Sequence, residues 1–202
     1  MNKKDCQTQF KNYLAVIEKR HSNYSLTNKT LLEDDKLFSF IYNCFYYAPS
    51  AFNVQSTRMV ILKDKKHKTL WEHVLNNLEK PIPEIVVTEL NSCKEAYATI
   101  LFFDDTSVTK KASSDYAMPL ENFESWSLQT NAMVQYAIWA GVSYAGYGAN
   151  IQHYNSLVKE AIKKFNIPKN WKLIAQMSIG VPKNTPDEHS HLNFDEVIKL
   201  VE

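Results

Sequence analysis

The sequence predicts an α+β chain with more helix than sheet. Three observations predict it: apolar residues recur at three- and four-residue spacing along the chain, short β-branched runs lie between those stretches, and no repeat, low-complexity tract or linker divides the 202 residues. A chain of that length has room for a real core, so residues 1–202 are read as one domain.

Phe10, Leu14 and Ile17 share one face of a helix over 6–19, which should stop near Arg20-His21-Ser22, where Asn23 and Asn28 favour turns. A second helix runs over about 31–47, with Leu37, Phe38, Ile41, Cys44 and Phe45 on one side and Pro49 beyond its end. Arg58-Met59-Val60-Ile61-Leu62 reads as a strand. Leu70, Val74 and Leu78 mark a helix over 66–79, Pro81 and Pro83 break it, and another helix covers 85–97. The apolar run 98–103 is a buried strand closed by Asp104-Asp105, and 106–124, mixed and holding Pro119, reads as a loop with one helical turn. Over 126–145, Leu128, Met133, Tyr136, Trp139 and Tyr144 cover too much of the circumference for a one-sided surface helix, so this helix should be central. The 141–148 stretch lets the chain leave it, 149–154 is extended, a helix over 155–165 ends before Pro168, and Trp171 to Ile179 alternates as a strand. An apolar segment around Phe194 to Val201 ends the chain.

Composition excludes several function classes. Basic and acidic residues number 23 and 22, and a net charge of +1 gives no support for a nucleic-acid binder; Lys63, Lys65, Lys66 and Lys68 read as a solvated turn. Glycine is scarce, 4 residues where average usage would give about 14. Neither a Rossmann fingerprint nor a P-loop can be built from them: Ile151 stands where G-x-G-x-x-G after Gly146 needs its third glycine, and no glycine precedes a lysine. Cys6, Cys44 and Cys93 are odd in number and far apart, which argues against disulfides and structural zinc. With no signal-like apolar stretch and no run long enough to span a bilayer, the expectation is a soluble cytoplasmic protein without membrane or nucleic-acid partners. A metal site at Asp187, His189 and His191, a Cys93 nucleophile with His73 or His153 as base, and a Ser50 hydrolase each lack a supporting signature, so no metal is expected.

Two polar clusters remain. Arg20-His21-Ser22 places three donors in succession, suited to a phosphate, or else to a helix C-terminus where cations offset the dipole. Pro49-Ser50-Ala51-Phe52-Asn53-Val54-Gln55 joins an aromatic-rich helix to a strand; its amides can pair with a heterocycle edge, or it is a plain connecting loop.

These two clusters, in order, resemble the R-[RH]-S and P-S-[SA]-x-N-x-Q motifs of the nitroreductase family of FMN-dependent oxidoreductases. Trp126 with the helix through Gln135 and Trp139, the run Gly148 to Asn155, and Trp171 to Met177 followed by Gly180 extend the likeness toward the branch of Frm2-like proteins. The resemblance implies an α+β sandwich, a central, mainly antiparallel sheet flanked by helices, in an intertwined homodimer with FMN at each interface. It assigns Arg20, His21 and Ser22 to the phosphate and ribityl chain, and brings Pro49, Ser50, Ala51 and Asn53 from the partner chain, with Asn53 or Gln55 near the ring's polar edge. Ile151, Gln152 and His153 would lie along the isoalloxazine, and His189, with Lys183 as the alternative, takes the place of a family lysine on the phosphate. Phe52, Tyr116, Phe123 and Trp126 are expected pocket aromatics, although each also suits core packing. The implied activity is ping-pong hydride transfer from NADH or NADPH through flavin N5 to nitroaromatics, quinones or hydroperoxides, with no catalytic side chain and a role in stress response. The other reading is a flavin- or lipid-binding regulatory protein of the same fold with little turnover.

Overall fold

The computed structural model describes residues 3–186 and 190–201. In chain order, α1 (Lys3–Glu18), β1 (Leu26–Thr27) and α2 (Asp34–Tyr47) lead through a 3₁₀ turn at Ala51–Asn53 into β2 (Thr57–Lys63). There follow α3 (Asp64–Asn76), α4 (Glu84–Glu95), β3 (Ala98–Asp105), α5 (Thr106–Asp115), α6 (Leu120–Tyr144), β4 (Gly148–Gln152), α7 (Asn155–Ala161), β5 (Trp171–Pro182) and α8 (Phe194–Val197).

The strands form one antiparallel sheet in the order β1-β5-β3-β2, with β4 also on β5. All of β3 is buried, as its unbroken apolar run requires of a central strand. The 12-residue β5 is long enough to pair with β3 on one edge and with both β4 and β1 on the other. Side chains alternate between the sheet's faces. Ile100, Phe102, Ala175 and Met177 pack under α2 and α6, whereas Leu62, Leu101, Phe103 and Leu173 pack under α3, α4 and α7. The α+β sandwich read from the sequence is therefore the observed architecture. Among the described residues no helix is long and apolar enough to cross a membrane.

Three expectations need correction. Lys63 ends β2 and pairs with Asp34, and Lys65, Lys66 and Lys68 lie on α3, so this basic run is a strand end and an exposed helix face rather than a turn. Residues 106–124 are not a loop: α5 fills 106–115, and α6 starts at Leu120 behind Pro119. Only Thr109 and Ala112 of α5 are buried, too little to leave an apolar period, and its start comes from Asp105, whose carboxylate accepts from Ser107 N–H at 3.2 Å. In a single chain, α6 is one-sided. Phe123, Asn131, Val134, Ile138 and Val142 face the core, while Leu128, Met133, Tyr136 and Tyr144 are exposed. Beyond α6, Gly146 takes φ +94°, a conformation that glycine alone adopts without strain, and the chain turns into β4.

On the α3 side, His67 is 1% exposed and fully bonded. The Lys94 carbonyl can only accept, so His67 Nε2 is the protonated nitrogen (3.0 Å) and Nδ1 accepts from Thr99 Oγ1 (2.9 Å). Thr99 in turn accepts from Trp71 Nε1 at 2.8 Å. Burial pushes the imidazole down to about 4. The unfolded chain takes up a proton as pH falls through 6.5 and the folded chain does not until about 4, so stability should drop across that window by about 1.4 kcal/mol per pH unit. In thermal melts at stepped pH, His67→Gln should flatten this dependence between pH 6.5 and 4; a wild-type-like slope in the variant would refute the assignment.

Candidate functional site

After α1 the chain turns at Arg20, whose N–H bonds the Ile17 carbonyl at 3.0 Å, and then runs beside β4. Ser22 and Ala149 form a parallel bridge, and Asn23 N–H donates to the Ala149 carbonyl at 2.9 Å. The Arg20 guanidinium lies 4.6 Å over the Trp139 ring, whose indole N–H donates to the His21 carbonyl at 3.2 Å. Among the described residues no carboxylate forms an ion pair with Arg20. A cation held over an aromatic face by its π-system keeps its donors for an anion. Asn23 fixes the turn: its Oδ1 accepts from Ser25 N–H at 2.9 Å and its Nδ2 donates to the Asn184 carbonyl at 3.2 Å. Lys183 points to Glu95 Oε2 at 2.9 Å. His189 and Asp187 lie outside the described residues.

The second cluster is built by α2 ending at Tyr47 and β2 starting at Thr57. Asn53 N–H bonds the Ser50 carbonyl (3.0 Å), Val54 N–H the Ala51 carbonyl (3.1 Å), and Ser50 Oγ accepts from Gln55 N–H (3.2 Å). Phe52, Asn53 and Gln55 sit at φ 52°, 55° and 52°, a left-handed conformation that non-glycine residues rarely adopt. Arg58 holds the strained loop, donating from Nη1 to the carbonyls of Gln55 (2.7 Å) and Thr57 (2.9 Å) and pairing with Asp105 at 3.2 Å. Burial alone would raise the Asp105 carboxyl, but hydrogen bonds from Ser107 and Asn170 and the Arg58 charge outweigh it and hold the group below the usual carboxylate range. Gln55 Nε2 donates to Asn53 Oδ1 at 2.9 Å, which leaves the Asn53 amide nitrogen as an open side-chain donor of the loop.

The four expected pocket aromatics do come together. Phe52 lies 4.4, 5.7 and 5.9 Å from the rings of Tyr116, Phe123 and Trp126. Phe123, 2% exposed, is the back of this wall, and the half-exposed Phe52 and Tyr116 are its face. Tyr116 is delivered by the C-cap of α5, the helix that leaves no period in the sequence.

Along β4, two relays of side-chain amides brace the chain. Asn150 Nδ2 donates to the Asn23 carbonyl (2.8 Å), and its Oδ1 accepts from Gln152 Nε2 (3.2 Å) and from the Cys93 thiol (3.3 Å). Farther on, Gln176 Oε1 accepts from Tyr154 N–H, its Nε2 donates to Asn155 Oδ1, and Asn155 Nδ2 donates to the Ile174 carbonyl. Ile151 and Gln152 are half-buried between these relays, and His153 is exposed. Burial pushes the Cys93 thiol up to about 12, and neither histidine weighed as its base is a partner: His73 contacts Asn77, and His153 is at the surface. Asn23 and Asn150 escape sequence reasoning because 127 positions separate them. Trp139 was legible as part of the family likeness, but its contact with Arg20 and His21 was not, since 118 positions separate it from His21.

Each cluster belongs to a different end of α6. Phe52 packs on Trp126 and His21 bonds Trp139, and those two tryptophans are thirteen residues, about 20 Å, apart along the helix. Between them runs an apolar groove of about 720 Å³ whose walls include Tyr13, Ile17, Cys44, Tyr47, Met133 and Tyr136.

A model of the nitroreductase family matches residues 17–181. Nitroreductase FRM2 of Saccharomyces cerevisiae is 31% identical over 186 residues, covering 90% of this chain and 94% of that protein. The structure of nitroreductase CinD from Lactococcus lactis in complex with chloramphenicol superposes with a TM-score of 0.85 at 30% identity, covering 94% of this chain and 100% of that one. A protein of Exiguobacterium sibiricum solved in complex with FMN shares the fold, with a TM-score of 0.71 at 13% identity over 93% of this chain and 96% of that one.

Proposed function

The chain belongs to the nitroreductase family, and from that premise we propose that it is an FMN-dependent NAD(P)H oxidoreductase that reduces nitroaromatics, quinones or hydroperoxides as a homodimer. Oxidoreductase chemistry follows from the family and its named nitroreductases. The observation that carries the finer reading is the Arg20 guanidinium, held over Trp139 next to Ser22 and the edge of β4. One fixed cation and one hydroxyl suit a single phosphate, and no glycine-rich loop is needed. The rest of the donor set fits FMN as well: amide ends at Asn53 and Gln152 suit a ring edge of carbonyls and N–H, and the half-exposed faces of Phe52 and Tyr116 suit a flat acceptor.

FMN, when bound, supplies hydride transfer between nicotinamide donor and acceptor in turn. The chain's own work is binding and shielding. Arg20, His21 and Ser22 hold the phosphate and ribityl chain, Ile151 to His153 line the ring, and Pro49, Ser50, Ala51, Asn53 and Gln55 arrive from the second copy. Separation of the clusters along α6 supports this division, and so does the apolar face. Phe10, Tyr13 and Leu14 of α1, Tyr42, Tyr46 and Tyr47 of α2, and Met133 and Tyr136 of α6 are all exposed, and Tyr13, Tyr47, Met133 and Tyr136 share the walls of the apolar groove. A two-fold contact would cover it and build two equivalent sites.

Anaerobic addition of NADH, then NADPH, to purified protein tests the reading. Yellow protein should bleach with at least one donor and regain colour when a nitroaromatic or quinone is added. Protein that binds no added FMN would defeat the flavin reading, and yellow protein that neither donor bleaches would favour a binding role without turnover.

A further inference from the structure

We propose that Asn150 orients the Gln152 amide so that Gln152 presents its carbonyl oxygen to the flavin ring, where it accepts the imide N3–H. This inference rests on the FMN reading above. An amide side chain offers a donor at one end and an acceptor at the other, and which end faces a ligand must be decided by what holds the opposite end. Here the decision starts from a backbone group that cannot reverse. The Asn23 carbonyl only accepts, so the Asn150 group 2.8 Å from it is Nδ2. Asn150 Oδ1 then faces the other way, toward Gln152 and the Cys93 thiol, and the Gln152 group 3.2 Å from it is the donor Nε2. Among the described residues Gln152 Oε1 has no hydrogen-bond partner.

Asn150 is fully buried, so reversing its amide would set two carbonyl oxygens against each other where no water relieves them. The orientation is therefore fixed before any ligand arrives. Gln152 is half-buried at the end of an edge strand, on the same stretch that Ser22 and Asn23 bridge at Ala149. The anion-binding turn and the acceptor are thus tied together through one buried asparagine. The pyrimidine edge of isoalloxazine presents carbonyl, N3–H and carbonyl, so the Gln152 acceptor answers N3–H and the Asn53 amide nitrogen, from the second copy, can donate to one of the flanking carbonyls.

The test titrates the full-length protein with FMN and with FMN methylated at N3, reading binding by flavin fluorescence, and compares wild type with Gln152→Met and Asn150→Ser. Wild type should prefer FMN by about 10-fold, and Gln152→Met should cut that preference to about 2-fold, chiefly by weakening FMN. Asn150→Ser, too short to hold the amide, should fall between. An unchanged preference in Gln152→Met overturns the proposal; if that variant does not fold, an unchanged preference in Asn150→Ser overturns it. Wild type that binds neither flavin overturns the FMN reading and this inference with it, whereas tight FMN binding with equal preference everywhere overturns the orientation alone.

Discussion

Arg20→Ala is expected to purify colourless, with FMN affinity reduced about 100-fold or more and the fold intact. A charge-assisted hydrogen bond contributes about 1.5–3 kcal/mol, and two from one guanidinium fork therefore amount to roughly two or more factors of ten. Arg20 reaches no other described side chain except the Trp139 ring, so its loss should change stability by less than about 1 kcal/mol. Flavin loss and unfolding are thus separable by comparing melts of flavin-free protein with FMN titrations. Arg20→Lys keeps the charge but not the planar fork, and should fall between. A yellow Arg20→Ala protein with wild-type affinity would show that the phosphate is held elsewhere.

Gly180→Ala should cost at least about 3 kcal/mol, which for a chain of this size lowers the melting temperature by roughly 10 °C. A methyl group there would stand 2.3 Å from the Thr27 carbonyl oxygen, 3.1 Å from Tyr97 N and 3.4 Å from Ala96 Cα, all backbone or Cα atoms that no rotamer change can move. The strand that must shift is β1, which pairs Leu26 with Pro182 and Thr27 with Val181. β1 leads directly from the Arg20–Asn23 turn, so flavin affinity should fall with stability. Gly141→Ala is the contrast: the atoms nearest its methyl, at 2.2 to 3.2 Å, all belong to the Phe40 ring, a side chain that can turn toward the groove where backbone cannot, so its cost should be smaller. Equal stability of Gly180→Ala and wild type would mean that β1 does not lie where its pairing places it.

Most elements were legible in the sequence because they depend on local spacing. β2, β3 and the long helix α6 announce themselves by period or by unbroken apolar runs, and their observed bounds differ from the expected ones by a few residues except at the start of α6. α5 was not legible, since its start is an Asp105 cap and its buried face is two small residues. β1 was not legible either, because a two-residue strand has no period and exists only through pairing with β5. At the candidate site, the residue types at 20–22, 49–55 and 151–153 were readable as ordered motifs. Arg58 was readable only as the first residue of a strand; that it grips the loop through the Gln55 and Thr57 carbonyls and pairs with Asp105 depends on β2 and β3 lying side by side.

The class of fold, the order of all the longer helices and strands except α5, and the scarcity of glycine that excludes a glycine-rich nucleotide loop were set by the sequence alone. Those properties follow from composition and from spacings of a few residues, which neighbouring side chains impose on the backbone. Only the tertiary structure decided that Arg20 lies on Trp139, that Asn23 reaches Asn150, and that the loop at Phe52 and the turn at His21 stand at opposite ends of α6. Each of these joins residues dozens of positions apart, and their meeting is set by how sheet and helices pack rather than by any pattern along the chain.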